Sequence, residues 1–249
     1  NAATNTIVIG AHYDHLGYGE DHNSLYAGKD KEVHNGADDN ASGVAALLEL
    51  GNWLSTSSLK KYNYCIVAFS GEELGLYGSK YFADNSPVDL KTVNYMLNMD
   101  MVGRLNDSTH GLNVGGYGTS PSWADIIKKE VPGLKIKTDS SGTGPSDHTS
   151  FYKKDIPVLY FFTGSHSDYH KPTDDANKIN YTGEVAVINY IKDVLTATDK
   201  KEKLYNFVVE LTFKTLRPSG KPLKIPVLDS EKKIKLDKII KTISSFFEI

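Results

Sequence analysis

Cysteine is almost missing from this chain, where Cys65 stands alone. An internal disulfide and a thiolate zinc cluster are thereby excluded, and any metal site must draw on His, Asp and Glu. A dominant sign of charge is lacking too: 28 Lys and Arg against 31 Asp and Glu leave a formal net charge of −3. No strong field recruits nucleic acid or an anionic membrane surface. Apolar runs such as Ile156–Phe162 are far too short to span a bilayer, so no transmembrane segment is expected. There is no fixed-period repeat and no low-complexity tract. Residues 1–5 lead straight into an apolar run without the layout of a signal peptide, which reads as a mature or excised domain.

What is present fits a folded chain of one large α/β domain or two small ones: 249 residues, 39% hydrophobic and 24% charged. Strand-like runs are expected at Thr6–Ala11, Tyr64–Phe69, Thr92–Met99 and Ile156–Phe162, where β-branched and aromatic residues concentrate. Between them fall helical patterns. One is capped by Asp39 or Asn40 and runs through Trp53, with Val44, Leu47, Leu48 and Leu54 near helical spacing. A second covers 122–131, and a third covers 182–197 with Val185, Ile188, Tyr190, Ile191 and Leu195 on its apolar face. This alternation predicts an α/β fold: a mixed, mostly parallel central sheet with helices on both faces. From about Asp199 the texture changes. A charged hinge precedes a strand-like segment, 204–216, and an amphipathic pattern over 232–247, read as a C-terminal extension. Its helix either packs on the same domain or serves a partner or membrane surface. The main domain is accordingly drawn at 1–198 and the extension at 199–249.

Ligands on such sheets sit beyond the carboxyl ends of the strands, and the polar clusters fall there. Ala11-His12-Tyr13-Asp14-His15 sets two imidazoles and a carboxylate directly after the first strand. That pattern suits either a loop hydrogen-bond pair or a metal-binding His12 with Asp14 outside it. In Gly36-Ala37-Asp38-Asp39-Asn40, helix capping accounts for Asp39 or Asn40 and leaves Asp38 spare, free to bridge two cations. Glu72 and Glu73 are adjacent at a strand-to-helix turn, so one can bind a metal while the other reaches a water. Asp100 follows a strand among methionines, where an unpaired charge would cost several kcal/mol. The His166–His170 segment adds imidazoles and the Tyr169 phenol, and Asp147-His148 either supports the site from outside or is structural.

Taken in order, His-Tyr-Asp, Gly-Ala-Asp-Asp-Asn-Ala-Ser-Gly, Gly-Glu-Glu-Leu-Gly-Leu-Tyr-Gly-Ser, Asn-Met-Asp-Met, Ser-Asp-His and Tyr-His-Lys-Pro-Thr-Asp-Asp resemble the two-zinc aminopeptidase family of the secreted bacterial leucyl aminopeptidases. Glutamate carboxypeptidase II, glutaminyl cyclase and the transferrin receptor are its wider relatives. The resemblance covers about residues 5–198. It implies two zinc ions, one held by His12, Asp38 and Asp100, the other by Asp38, Glu73 and His170. Asp38 is the implied bridge, followed by a cis peptide to Asp39. Glu72 is the implied general base, Asp14 steadies His12, and Tyr169 donates to the oxyanion. Three protein ligands per ion leave a position for water, as catalytic zinc requires; cobalt and manganese suit the same donors.

The resemblance implies a metallo-aminopeptidase acting on peptides with a free N-terminus, in a secreted or periplasmic setting. A carboxypeptidase or glutaminyl-cyclase-like enzyme on the same fold is the alternative, and a non-catalytic receptor-like domain a further one. The chain departs from some relatives at Pro145, which stands where an Arg binds the free end of the substrate. Tyr160, Phe161, Phe162 and Tyr169 are expected either in an apolar substrate pocket or in the sheet core.

Overall fold

The buried runs of the sequence assemble into one seven-stranded sheet in the computed structural model, which describes residues 3–201 and Leu204. Its strands are β1 (Thr6–His12), β2 (Asn63–Phe69), β3 (Val93–Met99), β4 (Gly111–Gly115), β5 (Glu130–Val131), β6 (Leu134–Thr138) and β7 (Val158–Phe162). They lie in the order β2-β1-β3-β7-β4-β6-β5. The first four neighbours are parallel, β4 runs antiparallel to β7, and β5 antiparallel to β6. The sheet is thus mixed and mostly parallel, as expected.

β1 and β3 are buried along their whole length, which is why both read as near-continuous apolar runs rather than alternating ones. Successive side chains of β1 serve opposite faces. Ile7, Ile9 and Ala11 enter the larger core under α1 (Gly43–Thr56), α3 (Trp123–Ile126) and α5 (Tyr181–Asp199). Val8 enters the smaller core on the other face, with Phe69, Met96, Phe151 and Val158. That second face is covered by α2 (Tyr77–Asp84) and α4 (His148–Tyr152). Gly10 has a packing reason: a methyl there would stand 2.4 Å from the Phe69 ring.

Three expectations need correction. The helix foreseen over 122–131 is one turn, α3, after which Ile127 is extended and the chain forms β5. Pro132-Gly133, with Gly133 at φ 79°, turns Val131 back against Leu134, and this hairpin pairing outweighs the helical propensity of the Lys128–Glu130 stretch. Leu48 and Val185, read as core-facing, are exposed. Conversely, β4, β5 and β6 are additions to the expected strands, while α2 is the helix expected after the Glu72-Glu73 turn. Among the described residues no helix is long and apolar enough to cross a membrane. The strand-like and amphipathic segments read from 205 onward lie outside the described residues. Leu204 is buried, its N–H donated to Asn94 Oδ1 at 2.7 Å.

Candidate metal centre

β1, β2, β3 and β7 all end at one edge, and four of the five polar clusters hang from those ends. His12 closes β1, Glu72 and Glu73 follow β2, Asp100 follows β3, and Tyr169 and His170 lie on the loop after β7. The turn Ala37–Ser42, at the start of α1, supplies the fifth.

The centre of the cluster is Asp39. Its Oδ1 is 3.4 Å from His12 Nε2 and its Oδ2 is 3.3 Å from His170 Nε2. Each imidazole has a second carboxylate beside it. Asp100 Oδ1 lies 3.5 Å from His12 Nε2, and Glu73 Oε2 lies 3.2 Å from His170 Nε2. Two corners therefore share one carboxylate. The donor atoms of His12, Asp39 and Asp100 lie within 4.8 Å of one another, as do those of His15, Asp39 and Glu73.

Both corner histidines present Nε2 because Nδ1 is occupied. His12 Nδ1 lies 3.1 Å from the Asp14 carbonyl oxygen and His170 Nδ1 2.8 Å from that of Asn23, so each Nδ1–H donates to backbone and frees the other nitrogen. The Asp14 carboxylate, 3.7 Å from His12 Nδ1, accepts instead the N–H groups of Glu72 and Glu73 at 3.2 and 3.3 Å. The carboxylate thus holds the glutamate turn, while it is the Asp14 backbone carbonyl that faces His12. His170 (φ 55°) and Met101 (φ 54°) both hold left-handed backbone, of the kind that persists where surrounding contacts enforce it.

Asp38, expected as the bridge, is elsewhere. Its carboxylate is fully buried, accepting from Gly103 N at 2.7 Å and Ser42 Oγ at 3.0 Å, with His166 Nε2 3.1 Å away. The cap of α1 falls to Asn40, whose Oδ1 accepts from Gly43 N at 3.0 Å and Met101 N at 3.1 Å. With Asn40 capping and Asp38 tying the turn to the segment after β3, Asp39 is the residue left facing the edge. The cis peptide is correspondingly Asp39-Asn40, not Asp38-Asp39. Asp174, given no role from sequence although inside a quoted motif, holds the turn from below. Its Oδ2 accepts from Asp38 N at 2.9 Å and Asp39 N at 3.1 Å. His166 is spent on Asp38 and does not reach the centre.

The electrostatics call for positive charge. Burial opposes protonation of His12, but Asp100 and Asp39 override it and push the imidazole up to about 12. Burial is likewise overridden at His170 by Asp39 and Glu73, which push it up to about 10. Asp39, despite burial, is held well below the usual carboxylate range by His12 and His170. The carboxylates crowded around these two nitrogens thus make the corners favourable for positive charge. Burial pushes Glu72 up to about 9, the effect of neighbouring His12 notwithstanding. The donor set, two imidazoles and three carboxylates without sulfur, fits a pair of divalent ions of the zinc type.

A cavity of about 260 Å³ opens on this centre, lined by Glu72, Asp100, Tyr169, Tyr160, Phe162 and Pro145 among others. Tyr169 stacks on His170 with ring centroids 3.8 Å apart, and burial raises its phenol above the ordinary value, keeping it a donor. Phe161 belongs to the core, whereas Tyr160 and Phe162 are part of the wall. His148 stacks under Tyr160, with centroids 4.4 Å apart, and burial pushes it down to about 3, so it supports the wall as a neutral ring.

The sequence profile of peptidase family M28 matches residues 1–195. Over 147 residues, 57% of this chain, the sequence is 37% identical to leupeptin-inactivating enzyme 1 of Streptomyces exfoliatus. Over 156 residues, 58% of the chain, it is 31% identical to aminopeptidase YwaD of Bacillus subtilis (strain 168). The chain spans about a third of the length of these two relatives, 32% and 34%. Its fold is similar to that of a zinc aminopeptidase from Bacillus subtilis, with a TM-score of 0.65 at 24% identity over 81% of this chain and 48% of that one.

Proposed function

Because the chain belongs to peptidase family M28, we propose that it is a metallo-aminopeptidase that removes N-terminal residues from peptides. The observation that carries the reading is the Asp39 carboxylate placed between His12 and His170, each imidazole with a further carboxylate of its own. In this reading His12, Asp39 and Asp100 hold one zinc ion, and Asp39, Glu73 and His170 the other. The five ligands bring −3 against +4, a nearly neutral set. Bound there, the ions supply Lewis acidity, polarising the scissile carbonyl and acidifying a water.

The chain's own residues do the rest. Glu72, at the cavity wall, takes the proton of the attacking water and passes it to the leaving amine, a role typically worth about 10²–10⁴ in rate. Burial raises its carboxyl, so Glu72 would serve as a base with positive charge held at the neighbouring corner. Asp14 fixes the glutamate turn through its two backbone hydrogen bonds. The Tyr169 hydroxyl donates to the oxygen that gains charge as the carbonyl becomes tetrahedral. Tyr160 and Phe162 give the substrate side chain an apolar wall. By the family resemblance we assign the enzyme to a secreted or periplasmic setting.

Purified protein loaded with zinc should release nitroaniline from aminoacyl-nitroanilides and leave the N-acetylated analogues intact, and a chelator should stop it. Full turnover after zinc removal, or turnover confined to the blocked substrates, would refute the aminopeptidase reading.

A further inference from the structure

The loop after β1 reaches the glutamate turn twice. Asp14 holds its backbone, and His15 holds a side chain: His15 Nδ1 lies 2.9 Å from Glu73 Oε1. Glu73 turns its other oxygen, Oε2, towards His170 Nε2 at 3.2 Å. The two oxygens of one carboxylate are thus divided between an imidazole at the corner and an imidazole behind it. His15 Nε2 is buried and has no hydrogen-bond partner among the described residues, so the ring proton belongs on Nδ1, where a carboxylate oxygen waits for it.

The ring has little freedom to do anything else. It crosses His170 edge to face, with centroids 6.0 Å apart, and lies 6.4 Å from the ring of His34. Gly36 also approaches it closely: a methyl there would stand 2.6 Å from His15 Cγ. Relative to Asp39, the nearer oxygen is 4.0 Å from His15 Nδ1, well outside hydrogen-bond range. The nitrogen therefore addresses Glu73 and not the shared carboxylate.

We propose that His15 is a positioning residue for Glu73: its Nδ1–H retains Oε1, so that Glu73 offers a metal ion the single oxygen Oε2 and the remaining coordination position at the His170 corner stays open to water or substrate. The inference rests on the two-zinc reading above. A carboxylate without this restraint is free to close on the ion with both oxygens or to swing out of the corner. Retention by a neighbouring donor is the kind of outer contact whose loss typically weakens metal affinity about 10–100-fold.

Two measurements on the full chain test this. In competition against a chromophoric zinc chelator, wild type should bind two ions. His15→Ala should keep one at wild-type affinity and weaken the other about 10–100-fold, and His15→Asn, whose amide can donate in place of the ring, should recover most of that loss. Equal affinities in His15→Ala and wild type, or no recovery in His15→Asn, overturn the proposal. The second measurement needs no variant: X-ray absorption at the zinc edge of the loaded wild type should count two imidazoles over two ions. Three would make His15 a ligand and overturn its positioning role. Wild type binding fewer than two ions would instead sink the functional reading itself, a separable outcome.

Discussion

Exchanging Asp38 and Asp39 one at a time for Asn separates an anchor from a ligand, because the two substitutions remove the same charge one residue apart. Asp39 is 3% exposed and stands between two imidazole corners at 3.4 and 3.3 Å. A unit charge about 4 Å from another is worth about 4 kcal/mol at an effective dielectric near 20. If screening removes a quarter of that, about 3 kcal/mol is lost at each corner, or about 10² in affinity per ion. Asp39→Asn is therefore expected to hold little zinc and to lose turnover. Asp38 meets no corner; its carboxylate accepts from Gly103 N and Ser42 Oγ and lies beside His166. An amide keeps the oxygen that accepts from Gly103 N and Ser42 Oγ but sets an NH2 against His166 Nε2 and removes the charge, so the loss is about 2–4 kcal/mol of stability, a fall in Tm of roughly 5–15 °C for a chain of this size. Zinc counted after equilibrium dialysis, with thermal melts of the metal-free proteins, reads both. A well-folded Asp38→Asn without zinc, beside an Asp39→Asn that keeps two ions, would refute the assignment.

Three further outcomes are expected. Glu72→Gln should keep both zinc ions and lower kcat by about 10²–10⁴; undiminished turnover would remove Glu72 from the proton path. His148 titrates near 6.5 when unfolded but only near 3 when folded, so its contribution to stability is whole above about pH 6.5 and drains as the pH falls towards 3. Denaturant melts of the metal-free His148→Phe variant between pH 7 and 4 should show a shallower loss than wild type, and parallel curves would exclude the buried neutral ring. Gly36→Ala sets a methyl 2.4 Å from the Asp39 carbonyl oxygen in left-handed backbone, φ 60°. It should cost about 2–4 kcal/mol and weaken zinc binding together, and a melt unchanged from wild type would show that the turn and His15 give way freely.

How far the sequence could be read depended on whether position alone decides a residue's use. Strands buried on both faces announce themselves by composition, which is why β1 and β3 were legible. β4 and β6, five residues each and partly exposed, carry too little pattern. The residues at the strand ends were legible for the same topological reason. What composition could not decide was which of two adjacent aspartates faces the edge. That depends on a capping Asn40, and on Gly103 and Asp174, which approach only in the folded chain. His15 was visible as a second imidazole after β1, but its use is set by Glu73, 58 positions away in sequence. Asp174 gave a signal in principle, as a carboxylate inside a motif to which the resemblance gave no role.

The division of the site between strands has a consequence for biosynthesis. A ribosome delivers His12, Asp39, Glu72, Glu73 and Asp100 long before it delivers His170, and among the described residues the β7 strand that leads to His170 pairs with β3 and β4, both made before it. The residues of the His12 corner are thus all made before any of the segment that carries His170. Under the proposed function the His170 corner is therefore the last part of the centre to be completed, and a chain stopped before β7 carries the His12 corner alone.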